Sequence, residues 1–133
     1  MSRQRWFVIG LAYATLFLYG LIDNSRGPIF PDVLEDFILG DGVGSIFFSS
    51  ASAAALISNI TATWWLKRLG DLWSVRIFSA LQAVSLAIMA YSPNYSMLLT
   101  GASLFGLSLG GLGLLVNVLT AAAAPAPRER GLW

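Results

Sequence analysis

The sequence predicts an all-α integral membrane protein built from four transmembrane helices. Three observations lead there. Of its 133 residues, 56% are hydrophobic and 11% are charged, against about 25% charged in a soluble domain. The charges are clustered, and none falls in 6–22, 42–66 or 77–127. A soluble domain of this size has too little interior to hide such lengths of uncharged, Phe-, Leu- and Ala-rich chain.

A hydrocarbon core of ~30 Å is crossed by about 20 helical residues. The first two uncharged stretches therefore hold one helix each. The third is too long for one span and divides at Ser92-Pro93-Asn94, where Pro93 lacks a donor and its neighbours favour a turn. The expected helices are 6–24, 43–66, 73–92 and 95–122.

Helix 1 follows Arg3 and Arg5 and ends near Asp23, with Gly27-Pro28 breaking it. It is expected to be retained, because its apolar run exceeds a usual signal h-region and Tyr19-Gly20-Leu21-Ile22 offers no small-x-small cleavage site. Helix 2 is rich in small residues (Ser45, Ser49, Ser52, Ala53, Ala55, Ser58), which let helices approach closely. Helix 3 carries Arg76 one turn in, where a long side chain snorkels to the interface. It also carries Ser79, Gln82 and Ser85 as one polar stripe, expected to hydrogen-bond a neighbouring helix. Helix 4 carries Ser103, Gly106, Gly110, Gly113 and Asn117 along one face, and Gly106-x-x-x-Gly110 is a helix-packing motif. Trp6, Trp64, Trp65, Trp73 and Tyr91 fall at span ends, as interfacial aromatics do. Two glycosylation sequons, at Asn59 and Asn94, lie in a span and in a tight turn and are expected to stay unmodified.

The loop charges set the orientation. Arg3 and Arg5 lead the chain, Lys67, Arg68 and Arg76 accompany Asp71 between helices 2 and 3, and Arg128 and Arg130 follow helix 4. The connection between helices 1 and 2 is acidic instead, with Asp23, Asp32, Glu35, Asp36 and Asp41 against Arg26. Both termini are therefore expected in the cytoplasm, the protein sitting in a plasma or inner membrane.

The same composition excludes other classes. With no Cys and no His, the chain lacks a thiolate nucleophile, a cysteine metal site and the commonest general base. No catalytic residues, metal or cofactor are expected, and a net charge of +1 points to no nucleic-acid partner. The expected partners are the lipid bilayer and a small-molecule solute.

Polar groups inside spans are costly and mark function or packing. Asp23 and Arg26, three apart, share a helical face above Tyr19 and Thr15. A neighbouring Arg favours the ionised carboxylate while desolvation favours its protonated form, the competition a proton-coupled site needs. The second reading is that the pair ends the helix at the headgroups. Asn117 is open between packing and a pathway role, its Gly-lined face bringing a neighbour or solute close.

Three segments resemble the N-terminal part of a major facilitator superfamily transporter, closest in kind to sugar-type and fucose-type permeases. Gly20 to Pro31 resembles the end of the first helix and the following loop. Lys67-Arg68-Leu69-Gly70-Asp71 resembles the cytoplasmic 2–3 loop motif Gly-x-x-x-Asp-Arg-x-Gly-x-Arg: Arg68 and Gly70 match, and Arg76 supplies a later cation. The departures are Lys67, where the motif has Asp, and the region of Trp64, where it has its leading Gly. Arg128-Glu129-Arg130-Gly131 resembles the stretch leading into helix 5. The resemblance implies a secondary active transporter working by alternating access, with protons as a coupling ion. It implies that Asp23, Arg26, Tyr19 and Asn117 face the pathway and that Gln82 is structural. Lys67, Arg68, Gly70 and Asp71 would then shape a loop that governs conformational exchange, and Gly106, Gly110 and Gly113 would serve packing. Since the resemblance covers four of twelve helices, the chain is expected to stop short of helix 5 and to need further helices or an oligomeric partner. Two other readings fit the length: a four-helix multidrug exporter acting as a dimer, which normally needs an acid that 6–22 lacks, and a membrane scaffold subunit.

Overall fold

A computed structural model describes residues 3–123, which form five helices: α1 (Arg3–Asp36), α2 (Asp41–Gly44), α3 (Ile46–Ile60), α4 (Ala62–Ala90) and α5 (Tyr95–Ala123). Among the described residues, three segments are long and apolar enough to cross a membrane: Asp41–Ile60, Ala62–Ala90 and Tyr95–Ala122. The expectation of a fourth span rests on the uncharged 6–22 of α1. Arg128, Glu129, Arg130 and Gly131 lie outside the described residues.

The glycines of α5 show how the helices run. Gly106 meets the backbone of Ala51 and Gly110 that of Ala55, so α3 runs parallel to α5. Gly101 meets Ile88 and Met89 while Gly111 meets Phe78, so the later part of α4 runs antiparallel to it. Gly113 faces Tyr19 and Phe105 lies beneath Arg26, which makes α1 antiparallel too. The bundle is up-down-up-down, with α5 touching all the others. Its apolar window is 44% buried, against 17% for that of α4.

Two clusters of buried side chains hold the ends. At one end Trp65, Phe78, Ala62 and Leu115 pack together, and the Trp65 indole N–H donates to the Ser58 carbonyl at 3.0 Å. Trp65 thus belongs to the core, 6% exposed, not to the interface where its place at a span end puts it in the sequence, whereas Trp64 is 62% exposed. At the other end Phe47, Leu98 and Ala102 are buried. There the Tyr95 hydroxyl donates to the Val43 carbonyl at 2.7 Å, tying the start of α5 to α2. The Ser92-Pro93-Asn94 turn closes as an N-cap, the Asn94 side-chain oxygen accepting from the Met97 N–H at 2.9 Å.

Two connections differ from the sequence expectation. α1 does not end at Gly27-Pro28 but runs on through Pro28 and Pro31 to Asp36. Each proline removes a backbone bond and costs about 3 kcal/mol in a helix interior. Here Phe30, Val33 and Phe37 pack against Phe47, Leu98 and Ala102, and the Phe30 and Phe48 rings meet edge-on at 4.8 Å. Tertiary contact overrides the local break. The helix closes instead at Ile38, whose φ is 52°: Leu39 N–H bonds to Leu34 O at 2.9 Å and Ile38 N–H to Glu35 O at 3.2 Å, a Schellman closure. The second difference is that no extended loop separates helices 2 and 3. α3 passes through Thr61 into α4, and the reversal is concentrated at Gly70, φ 71° and ψ 167°, a backbone region that essentially only glycine occupies.

Candidate functional site

α1 packs against α5 along part of its length and does not reach α4, and two cavities open beside it. The larger, about 450 Å³, lies between the middle of α1, residues 75–86 of α4 and residues 112–119 of α5. Leu, Val and Ile side chains make most of its wall, and Thr15, Tyr19, Ser79 and Gln82 bring polar groups to it. The Thr15 hydroxyl donates to Leu11 O at 2.8 Å, leaving its lone pairs for the cavity. Gly113 gives the Tyr19 ring its seat: an added Cβ there would stand 3.5 Å from the ring.

The smaller cavity, about 330 Å³, lies farther along α1, with Arg26, Asp36 and Ser92 as its polar members and Phe37, Phe47 and Met89 among its apolar ones. Arg26 lines this smaller cavity, one helical turn beyond Ile22 of the larger. Its guanidinium pairs with the Asp23 carboxylate and lies over the Phe105 ring, 5.2 Å from its centre. The Arg26 side chain is 15% exposed and that of Asp23 39%, so the guanidinium is largely covered while the carboxylate keeps an open side.

The sequence-derived residues fall into four groups. Tyr19 lines the larger cavity, and Asp23 and Arg26 pair one turn beyond it. Gly106 and Gly110 seat α3, whereas Gly113 faces α1. Lys67, Arg68, Gly70 and Asp71 are exposed at the bend, away from both cavities. Asn117 is exposed, and its neighbours Val116 and Leu119, not Asn117 itself, line the larger cavity. Gln82 and Ser79 do line it. Phe105, 1% exposed, lies under the Arg26 guanidinium and carries no sequence signal, being one apolar residue among many in α5. Thr15 was legible: with Tyr19, Asp23 and Arg26 it follows i, i+4, i+8, i+11, one stripe of α1.

Comparison with known families decides what this bundle is. A family model described as "Sugar (and other) transporter" matches residues 40–132. The chain belongs to the sugar transporter family. The match takes in α2 to α5 and the Gly70 bend, while α1, with Tyr19, Asp23 and Arg26, lies before it. No curated protein and no solved structure matches the chain. Membership makes it a multi-pass membrane protein of a transporter family, with a solute as its partner.

Proposed function

We propose that the chain forms the solute-handling bundle of a secondary active transporter for a small, uncharged, polar solute, coupled to protons through Asp23. The family match over residues 40–132 carries this reading. The geometry beside α1 supports it. A hydroxyl, a phenol, a second hydroxyl and a carboxamide facing one cavity offer donors and acceptors with no net charge, the complement of a polyhydroxylated solute. Transporters of this kind bind near the bilayer midplane and rock one helical unit against another.

The coupling step uses the Asp23–Arg26 pair. While ionised, the carboxylate neutralises Arg26 at the wall of the smaller cavity. Taking up a proton deprives the guanidinium of its carboxylate partner and leaves it the Phe105 ring and the Asp23 carbonyl, a loss that favours its movement. That movement would join the two cavities on one side of α1 and release the solute.

Energised vesicles containing the whole protein test both parts. Labelled hexoses and pentoses should accumulate when a proton gradient is applied. Asp23→Asn should abolish that accumulation while exchange of label down its own gradient continues. Wild-type vesicles that take up none of these sugars sink the solute assignment. Normal gradient-driven accumulation by the Asn variant sinks the coupling role.

A further inference from the structure

The Gly70 bend carries a pattern that solute handling does not use. Within six residues on either side of it, two arginines stand over the rings of two tryptophans. The Arg68 guanidinium is 4.9 Å from the centre of the Trp64 ring, and that of Arg76 is 5.3 Å from Trp73. Trp64 is 62% exposed and Trp73 61%, and Lys67, Arg68 and Arg76 are exposed as well. Among the described residues the ion pair is that of Arg26 with Asp23, so no carboxylate neutralises these three cations by contact, although Asp71 is close in sequence.

We infer that the Gly70 bend is a docking surface for the phosphate headgroups of anionic phospholipids. A guanidinium held over an indole face is restrained by the cation–π attraction while its N–H donors remain available to phosphate oxygens. Tryptophan prefers the headgroup level of a bilayer, so the rings set these arginines at the depth where lipid phosphates lie. Exposed Leu72, 77% accessible, adds an apolar contact for the acyl region. The two Arg–Trp pairs flank the break at Gly70, one on each side of it. Three uncompensated cations against one acid suit an anionic rather than a zwitterionic lipid. The inference rests on the membrane placement of the chain and not on transport, so a variant that moves no solute should still show it.

The test measures how strongly spin-labelled phosphatidylglycerol, relative to spin-labelled phosphatidylcholine, associates with the full chain in phosphatidylcholine bilayers. Wild type should prefer phosphatidylglycerol. R68Q/R76Q should lower that preference by about fivefold for each arginine removed, and R68K/R76K should retain an intermediate preference because charge remains but the planar fork is lost. The wild-type preference should fall as salt rises, since exposed charges are screened, a readout that needs no variant to fold. Equal preference in wild type and R68Q/R76Q, or a preference indifferent to salt, overturns the inference. Displacement of the labelled lipid by millimolar inorganic phosphate, or by an acidic peptide at low salt, also overturns it, marking a free-anion or protein site instead.

Discussion

Gly110 has no room for a methyl group. An added Cβ would lie 2.6 Å from the Ala55 carbonyl oxygen and 2.9 Å from its Cα, and a helix backbone cannot swing aside as a side chain can. α3 and α5 would have to separate, and overpacking of this kind costs about 1–3 kcal/mol. Gly110→Ala should therefore lower the thermal unfolding midpoint of the detergent-solubilised protein by several degrees. Gly113→Ala should leave it nearly unchanged, because its methyl would make an ordinary 3.5 Å contact with Tyr19. Equal midpoints for the two variants would refute the seam. The spacing of Gly106, Gly110 and Gly113 was readable from the sequence, since only a helix puts those positions on neighbouring turns. Their separate partners were not. α5 is surrounded by three helices, so a small angular step around it moves a residue from α3 to α1, and one chain's pattern does not say which helix waits there. Asn117 shows the same limit: it follows the glycine spacing yet stands exposed, one step past the cavity wall.

At the level of elements, two residues have exchanged their ordinary places. Ile38 holds a left-handed φ of 52° at the end of α1, where glycine is the usual choice, and its side chain is 92% exposed. A β-branched residue in that region costs about 1–2 kcal/mol with no burial to offset it. Gly70 occupies its own position by necessity, φ 71° and ψ 167°, although nothing lies within 4 Å of where its Cβ would be. Ile38→Gly should stabilise the fold and Gly70→Ala should destabilise it, each by about 1–3 kcal/mol of backbone strain, with the unfolding midpoint moving up and down accordingly. Circular dichroism melts of both variants decide it, and a stabilising Gly70→Ala would show that the bend does not need its glycine. The α1 case also marks where local reading fails. Gly27, Pro28 and Pro31 are honest break signals, but Phe30, Val33 and Phe37 contribute contacts to Phe47, Leu98 and Ala102 that lie outside any window of the sequence. The Gly70 reversal was signalled by its basic neighbours, though not its brevity.

For the whole molecule the asymmetry of packing matters most. α5 is held by α3 and by the later part of α4 through close glycine contacts, whereas α1 touches it chiefly at Tyr19, Arg26 and the residues beyond. Phe7, Tyr13, Phe17 and Leu18 on α1 remain more than half exposed, and both cavities open at its side. If solute passage requires α1 to shift against a rigid α3–α4–α5 unit, fastening α1 to α5 should stop it. The chain has no cysteine, so Tyr19→Cys with Gly113→Cys introduces the only thiols, on facing sites of the two helices. A short bifunctional thiol reagent, cleavable by reductant, should join them within one chain and make the protein more compact on a denaturing gel. Uptake into vesicles should fall to background on cross-linking and recover when the linker is cleaved, to the level of the untreated double variant. Each single-cysteine variant treated alike should keep its own untreated rate. Transport that continues through a quantitatively cross-linked chain would place the moving boundary elsewhere, between this bundle and whatever packs on the exposed face of α1.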